Sequence, residues 1–481
     1  MTEAALTAPS GTASWADSGR RIAPLAWPVF VGQLSVLAFG TIDTLLVARA
    51  SAADLAALAV GGAAYVTVFI GFMGALLALS PIVGQLSGAR RYAEAGHHVH
   101  QALWLALALS VVGSLVLAFP QPFLALAQAG PEVATKVRGY LLALAGSLPA
   151  ALLFTVYRGF NTAIGRPRMV MGLQLGALLL KLPLSWAGVF GLPALGLPAL
   201  GVLGCGIATA LAMWAQVIVA WVVIRRGAAY APYKLFGQGL HRPDAVALRQ
   251  HLKLGLPMGA SILVEVTGFA FMSIFIARLG ALPVAGHQLA VNLVSVMFML
   301  PLALGHATST LVALQIGAGH ASAARRLAWH GLLIGCSVAA VMGLVVFLAR
   351  ERVLGLYTRD PALIAAALPL LAWVAIFHLG DAAQTIAAFV LRAYKIAVVP
   401  MVIYVAALWG VGLGGGYTLA FNLPGSVPEA LQGARGFWFA STSGLVLAGA
   451  ALCAFMLWLM REEERDERGR QGREPGLRPS R

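Results

Sequence analysis

The chain has 481 residues, of which 60% are hydrophobic and only 11% are charged, and its mean hydropathy is +0.84. A soluble protein of this length carries about 25% charged residues, so this composition excludes an ordinary soluble globular protein. Long apolar segments recur from residue 22 to residue 460. Alternating segments of about ten residues, typical of an outer-membrane β-barrel, do not occur. The sequence therefore predicts an all-α polytopic membrane protein.

The polar segment 1–21 has no apolar region of the kind found in cleavable signal peptides, so we expect the first membrane helix to serve as the targeting signal. Apolar runs of about 20 residues then predict twelve transmembrane helices. In chain order they cover residues 22–48, 56–80, 100–124, 138–158, 168–192, 200–224, 252–278, 283–305, 328–349, 362–391, 397–420 and 436–460.

The distribution of Lys and Arg predicts the orientation of these helices. If both termini are cytoplasmic, most basic residues fall in cytoplasmic loops, including Arg392 and Lys395 after the tenth span, and in the charged tail 461–481. This agrees with the positive-inside rule for a bacterial inner (plasma) membrane protein. The net charge of +15 is explained by these loops and this tail, so we predict no nucleic-acid partner.

The two halves of the sequence resemble each other. LAWPVFVGQ at 25–33 matches LGLPMGASI at 254–262, and one offset of about 230 also aligns Gln85 with Gln315 and Pro167 with Pro400. Each half contains an even number of spans, so both halves cross the membrane in the same sense. The repeat predicts two parallel six-helix bundles, 22–225 and 252–460, around a central cavity and joined by a cytoplasmic linker, 226–251. Paired bundles around a cavity are an alternating-access architecture.

Four ionisable side chains lie deep in the predicted spans: Asp43, Lys181, Glu265 and Asp381. A charged group at the centre of a bilayer costs about 2.5–3.5 kcal/mol on insertion scales, so such residues usually face a cavity and have a function. Glu265 and Asp381 both lie near mid-depth. A buried carboxyl group suits proton uptake and release, whereas two carboxylates with amide and carbonyl oxygens could instead hold Na⁺. His287 and His378 are weaker candidates.

Lys181 lies too deep in its span to reach either membrane surface easily. Asp43 is the one intramembrane acid in the same half, and an ion pair between them would lower the cost of burying both charges. We therefore predict an Asp43–Lys181 pair, with a lysine extended along the membrane face as the alternative.

Other polar and soft side chains are candidates for lining the cavity. Gln288 and Asn292 are four residues apart and share a helix face, although hydrogen bonding between helices would also explain them. Met299, in MFMLP at 297–301, offers an adaptable surface. HHVH at 97–100 resembles a metal motif, but we expect it in a cytoplasmic loop without a metal. The three cysteines have no disulfide or zinc spacing.

The sequence contains no Walker A, HExxH or GxSxG motif and no Ser/His/Asp set that stands out, so we expect neither an ATP-driven pump nor an enzyme. We also expect no cofactor other than a coupling ion.

Several segments together resemble the multidrug and toxic compound extrusion (MATE) transporters, NorM branch. They are PVFVGQLSVLAFGTIDTLLVA at 28–48, LPMGASILVEVTGFA at 256–270, AGHQLAVNLVSVMFMLPLALG at 285–305 and GDAAQTIAAFVLRAYK at 380–395, with LGCGIATAL at 203–211. The resemblance covers nearly all of the chain between residues 22 and 460.

The resemblance implies a functional monomer in the lipid bilayer that exports bulky, often cationic organic compounds, driven by inward flow of H⁺ or Na⁺. Glu265 and Asp381 would form the cation site, with Asp43 as a carboxylate of the first half. The cavity would include Gln33, Lys181, Gln288, Asn292, Phe377, Gln384 and Met299.

Two departures from the family pattern change this expectation. Lys181 and Ser185 stand where the branch has asparagines, and an ammonium beside Asp43 would act as a built-in cation. Phe377 stands where a tyrosine would supply an oxygen, which favours H⁺ over Na⁺ but leaves the ion open. We expect coupling to run mainly through the second half.

Two other functions remain open. A flippase for a lipid-linked precursor, from the same superfamily, would need a strongly basic cavity, and the spans offer only Lys181. A channel or a non-transporting receptor would not need the pair of acids in the second half.

Overall fold

Twelve helical spans in the computed structural model are long and apolar enough to cross a membrane, which confirms the predicted number. The structure describes residues 14–128, 130–193, 196–237, 239 and 241–472, so most of the predicted N-terminal segment and the end of the charged tail lie outside the described residues. Spans 1–12 are, in order, Trp15–Ala48, Ala52–Gly88, Tyr92–Ala118, Pro131–Ala163, Pro167–Phe190, Val202–Arg226, Ala245–Ala277, Ala281–Gly317, Ala321–Leu348, Pro361–Ala393, Val398–Ala420 and Ala434–Asp466.

Three spans are interrupted. Span 2 consists of helices Ala52–Leu76 and Leu79–Gly88. Span 10 contains Pro361–Ala367, the 3₁₀ turn Leu370–Trp373 and Val374–Ala393, and Pro369 breaks its backbone ladder because proline has no N–H to donate. Span 11 contains Val398–Tyr404, the π-helix Val405–Gly415 and Gly416–Ala420. π-Helical turns occur frequently at functional sites.

The remaining helices are short and lie between the spans, except that span 12 belongs to a longer helix, Ala434–Gly472. The short ones are the α-helices Gln121–Ala127 and Arg350–Tyr357 and the 3₁₀ helices Ala228–Tyr233 and Glu429–Leu431. Among the described residues, the β-structure consists of an isolated bridge between Leu192 and Leu197.

The described chain divides into two compact units. The first comprises residues 23–263, and the second comprises residues 14–22 and 264–472. Span 7 belongs to both, because its first half packs within the first unit and its second half, from Val264 onward, belongs to the second.

Each unit is organised around one central span, span 4 in the first unit and span 10 in the second. In the first unit, span 4 packs against spans 2, 3 and 6, and it buries Leu141, Leu148 and Phe160 completely. In the second unit, span 10 packs against spans 8, 9 and 12. Span 10 approaches span 12 closely because Gly380 has no side chain, and a Cβ there would lie 3.0 Å from the backbone nitrogen of Val446. Since spans 4 and 10 occupy equivalent places in the two halves, the packing agrees with the internal repeat.

A buried carboxylate joins three spans of the first unit. Asp54, in the first turn of span 2, accepts hydrogen bonds from the Lys136 ammonium of span 4, with both oxygens at 3.0 Å. Asp54 also accepts from the backbone N–H of Val202 at 3.1 Å, so it caps the start of span 6. Asp54 and Lys136 lie just outside the predicted spans, and the sequence did not identify them as partners.

Lys136→Met is expected to lower the stability of the first unit by about 2 kcal/mol, because it leaves the buried Asp54 carboxylate without its cation; the partly exposed lysine keeps the effect below that of a fully buried pair. Thermal unfolding of the detergent-solubilised protein would measure this as a lower Tm. The control is Arg91→Met, which breaks the exposed Arg91–Glu94 pair. Equal Tm values for the two variants would contradict the role given to Asp54.

Candidate functional site

Asp43 and Lys181 form the predicted ion pair inside the first unit. Lys181 Nζ lies 2.6 Å from Asp43 Oδ2, and the two side chains are 1% and 9% exposed. The pair connects span 1 to span 5. The ammonium also contacts the carbonyl oxygen of Phe39 at 3.5 Å and lies 4.4 Å from the centre of the Phe39 ring. The ammonium is therefore surrounded by an anion, a carbonyl and an aromatic face, all from span 1.

Span 6 closes the other side of this pair. Asp43 Oδ1 and Ser185 Oγ have no hydrogen-bond partner among the described residues. Cys205 of span 6 lies near the Asp43 carboxylate and Ser185, which follows Lys181 by one helical turn. Cys205 and Ser185 are completely buried. Asp43 Oδ2 is occupied by the Lys181 ammonium, whose charge balances that of the carboxylate.

The second unit brings Glu265 and Asp381 together. Asp381 lies on span 10 and is 5% exposed, and its carboxylate interacts electrostatically with that of Glu265 on span 7. Gln384 Nε2 donates to Asp381 Oδ1 at 3.0 Å and to Thr385 Oγ1 at 3.0 Å. The other amide atom, Gln384 Oε1, is buried and has no hydrogen-bond partner among the described residues. The site thus offers two carboxylates, an amide oxygen and a hydroxyl.

Glu265 lines a small cavity of about 30 Å³, large enough for one or two water molecules. The π-helix of span 11 supplies part of the wall through Leu408, Gly412 and Leu413. In the same π-helix, Trp409 Nε1 donates to the backbone oxygen of Val264 at 3.0 Å, next to Glu265. The rest of the wall is apolar except for a serine: Gly268, Phe269, Met272, Ser441 and Leu445. The carboxylate therefore has space beside it in which its protonation or hydration can change.

The expected loop position of Arg392 is wrong. Arg392 lies in the last turn of helix Val374–Ala393 and is buried, and its guanidinium interacts electrostatically with Glu265 and Tyr404. The prediction ended the helix at the last apolar residue and treated the arginine as a loop residue. The spacing does contain a signal, because Arg392 follows Asp381 by eleven residues, about three helical turns, and so shares its face.

Phe377 belongs to an aromatic cluster near Asp381. Its ring centre lies 6.3 Å from that of Phe269 and 5.4 Å from that of Trp438. Trp438 Nε1 in turn donates to His287 Nδ1 at 3.2 Å, and His287 Nε2 lies 2.9 Å from Ser273 Oγ. Since an indole N–H can only donate, His287 carries its proton on Nε2. His287 is thus held by hydrogen bonds on both sides of its ring.

The other candidate residues of the second unit are more exposed. Gln288 and Asn292 lie on one exposed face of span 8; Gln288 Nε2 donates to Ser273 Oγ at 3.4 Å, and Asn292 Oδ1 accepts from the Tyr357 hydroxyl at 3.2 Å. Met299 is half-buried, as is Gln33 of the first unit. Their role in lining a cavity stays a prediction.

His378 is fully buried, and neither ring nitrogen has a hydrogen-bond partner among the described residues.

The predicted loop position of HHVH is also wrong. His97, His98 and His100 lie within helix Tyr92–Ala118, because the polar residues after Tyr92 continue the helix beyond its apolar part. Within the part of the chain that the structure describes, no three His, Cys, Asp or Glu side chains form a group that could hold a metal ion.

Comparison with known proteins identifies a family. The sequence matches the MatE family model over residues 28–187 and again over 257–418. The starts of these two matches confirm the predicted repeat with an offset of about 230 residues.

Similar sequences are found in several bacteria. A probable multidrug resistance protein NorM of Aromatoleum aromaticum is 40% identical, with 91% of this chain and 92% of that protein covered. The multidrug resistance protein PmpM of Pseudomonas aeruginosa is 34% identical over 90% of both chains. The multidrug resistance protein MdtK of Pectobacterium atrosepticum is also 34% identical, covering 92% of this chain and 96% of that protein.

Solved structures share the fold. The eukaryotic MATE transporter AtDTX14 superposes with a TM-score of 0.82 at 20% identity, covering 95% of this chain and 99% of that one. An outward-facing multidrug resistance MATE family transporter of the MOP superfamily gives a TM-score of 0.83 at 16% identity, covering 93% and 97%. The likeness over nearly the whole of each chain identifies the fold of the twelve spans.

Proposed function

The chain belongs to the MatE family of transporters, and from this premise we propose that it exports bulky, often cationic organic compounds in exchange for H⁺ or Na⁺. The names of its bacterial relatives, which are multidrug resistance proteins, support the substrate class. The twelve apolar helices make it a multi-pass membrane protein. We place it in the bacterial inner membrane with both termini cytoplasmic, because that orientation puts most Lys and Arg inside.

The observation that carries this proposal is the difference between the two acid sites. Asp43 is already paired with Lys181 at 2.6 Å. Glu265 and Asp381 interact with each other, and Glu265 borders a small cavity. Arg392 also interacts with Glu265, but one guanidinium balances only one of these two carboxylates. The pair therefore binds a further cation more readily than Asp43, which one ammonium matches fully. The coupling ion therefore binds in the second unit.

The oxygen atoms available as ligands favour H⁺ over Na⁺. A proton needs only one carboxylate oxygen, whereas a hard metal cation needs several oxygen ligands arranged around it. Phe377 contributes no oxygen, and Asp381 Oδ1 already accepts a hydrogen bond from the Gln384 amide. Gln384 Oε1 could still serve a metal ion, so Na⁺ remains the second coupling ion to test.

The transport cycle follows from competition between like charges. When the site opens outward, the ion binds Glu265 and Asp381 and weakens the binding of a cationic drug there. After the change of access the ion leaves to the cytoplasm, and the restored negative charge binds the next drug. Reciprocal linkage requires each ligand to lower the binding affinity of the other by the same factor. We propose that a single chain completes this cycle.

A lipid-linked precursor flippase is the weaker alternative. Recognition of a pyrophosphate would need free cations in the binding region. The ammonium of Lys181 is paired with Asp43 and covered by Phe39, and the buried Arg392 guanidinium interacts with Glu265, so neither offers a free charge.

Asp381→Asn is expected to lose gradient-driven export of ethidium, because an amide cannot take up and release a proton or balance a metal charge. Proteoliposomes with separately imposed H⁺ and Na⁺ gradients would measure efflux and identify the ion. The control is Asp360→Asn, which changes an exposed carboxylate that caps helix Pro361–Ala367. Undiminished efflux in the Asp381 variant would show that the coupling site lies elsewhere.

A further inference from the structure

Five histidine side chains meet where span 3 begins and span 7 begins, both within the first unit. His97, His98 and His100 come from the first turns of span 3, His241 from the segment before span 7, and His251 from span 7 itself. The HHVH motif, which the transport function does not use, therefore contacts the linker that connects spans 6 and 7.

The contacts of His100 determine where its proton lies. His100 Nε2 lies 3.1 Å from the backbone oxygen of Leu235, which can only accept, so this nitrogen donates. His100 Nδ1 lies 2.9 Å from His241 Nδ1 and also faces the backbone N–H of His241 at 3.5 Å. The Nδ1 atom is therefore the acceptor, and both contacts to residue 241 need a neutral His100. A second proton on this ring would turn the acceptor into a donor and break them.

The His98–His251 contact has the same property. His98 Nδ1 lies 3.3 Å from His251 Nε2, and the ring centres are 5.4 Å apart. One nitrogen must donate and the other must accept, so the contact cannot persist when both rings are protonated. His251 is fully buried, and its Nδ1 has no hydrogen-bond partner among the described residues.

One negative charge faces the cluster. Asp244 Oδ2 lies 3.3 Å from His97 Nε2, and a backbone hydrogen bond from Val246 together with His97 holds the pKa of Asp244 below its usual value. A single carboxylate balances only one imidazolium. His97 also contacts His98 and His241, with ring centres 5.9 and 5.2 Å apart.

Other bonds that hold the same segment do not depend on pH. Gln101 is completely buried; its Nε2 donates to the backbone oxygen of Arg242 at 2.9 Å, and its Oε1 accepts from the backbone N–H of Asp244 at 2.8 Å. Trp104 Nε1 donates to the backbone oxygen of His241 at 2.8 Å. These bonds provide an internal comparison for the histidine contacts.

We propose that the five histidines and Asp244 form an acid-released clasp that fastens the linker to the start of span 3 at neutral pH and frees it on acidification. Because His98, His100 and His251 are buried, a second proton enters these rings only well below about pH 6.5, the ordinary value for histidine. It breaks the His100–His241 and His98–His251 contacts and accumulates like charges in one cluster. Release of the clasp frees the segment that precedes Ala245, where span 7 begins.

The test is hydrogen exchange of the full-length, detergent-solubilised protein at pH 7.5 and 4.5, corrected for the intrinsic pH dependence of exchange. We expect peptides that cover residues 241–248 to lose at least tenfold protection at the lower pH. A peptide from 203–211, buried in the same unit, is expected to stay protected, which distinguishes local release from unfolding.

Two variants separate protonation from simple loss of contact. In His98→Gln/His100→Gln an amide can still donate and accept but cannot titrate, so we expect most of the pH effect to disappear. In Gln101→Ala the segment is expected to exchange faster at both pH values, with the pH effect retained. Wild-type protection that differs less than twofold between the two pH values would overturn the proposal, as would an undiminished pH effect in the double variant. If the double variant does not fold, His100→Gln alone is compared with His330→Gln, a histidine in the second unit that contacts Ser18.

Discussion

Glu265→Gln is expected to abolish gradient-driven drug export, whereas a variant with neutral residues at both Asp43 and Lys181 is expected to retain it. Glu265 borders the small cavity and interacts with both Asp381 and Arg392, so the two acids carry one negative charge more than Arg392 balances. The charge of Asp43 is balanced by the Lys181 ammonium, so removal of both charges leaves the net charge of the first unit unchanged. We expect at least a tenfold loss of coupled efflux in the first variant and less than a threefold change in the second.

The geometry determines which variant of the first unit is informative. Asp43→Asn alone would leave the buried Lys181 ammonium without its anion, and loss of transport could then reflect misfolding. Asp43→Asn/Lys181→Met removes both charges and keeps side chains of similar size. Ethidium efflux from proteoliposomes, normalised to the amount of folded protein, compares the two. Loss of coupling in the neutral double variant, with Glu265→Gln still active, would place the coupling site at Asp43.

The sequence predicted the features that follow from the free-energy cost of burying polar groups in a bilayer. Apolar runs identified all twelve spans, since a membrane helix needs about 20 apolar residues whatever it packs against. The same cost made Asp43, Lys181, Glu265 and Asp381 conspicuous. The structure joins Asp43 and Lys181 in an ion pair and places Glu265 within electrostatic range of Asp381.

The features that the sequence missed involve charges at the ends of apolar runs. Asp54, Lys136, Arg392 and the HHVH histidines all lie where a span begins or ends, and a polar residue there is compatible with either a loop or a helix. Their partners come from distant parts of the chain, such as Val202 for Asp54 and Glu265 for Arg392. The π-helix in span 11 was also missed, because its sequence is as apolar as an α-helical span and its extra backbone residue leaves no compositional signal.

Lys181→Met is expected to be the most destabilising single change in the first unit, and Asp43→Asn is expected to rescue it. Removal of the lysine leaves the Asp43 carboxylate buried between spans 1, 5 and 6 without a counter-ion, and breaking one partner of a buried pair costs about 3–5 kcal/mol. Removal of both charges also removes the need for pairing, and neutral side chains of similar size are often tolerated at such positions.

A double-mutant cycle of the wild type, Lys181→Met, Asp43→Asn and the double variant tests this through thermal unfolding in detergent. We expect a coupling energy of about 3 kcal/mol, with the double variant more stable than either single one. Lys136→Met, which breaks the partly exposed pair with Asp54, should lower the Tm less than Lys181→Met because water can still reach that lysine. Additive effects of the two substitutions would mean that each charge is solvated independently, and Asp43 would then be free to bind a coupling ion.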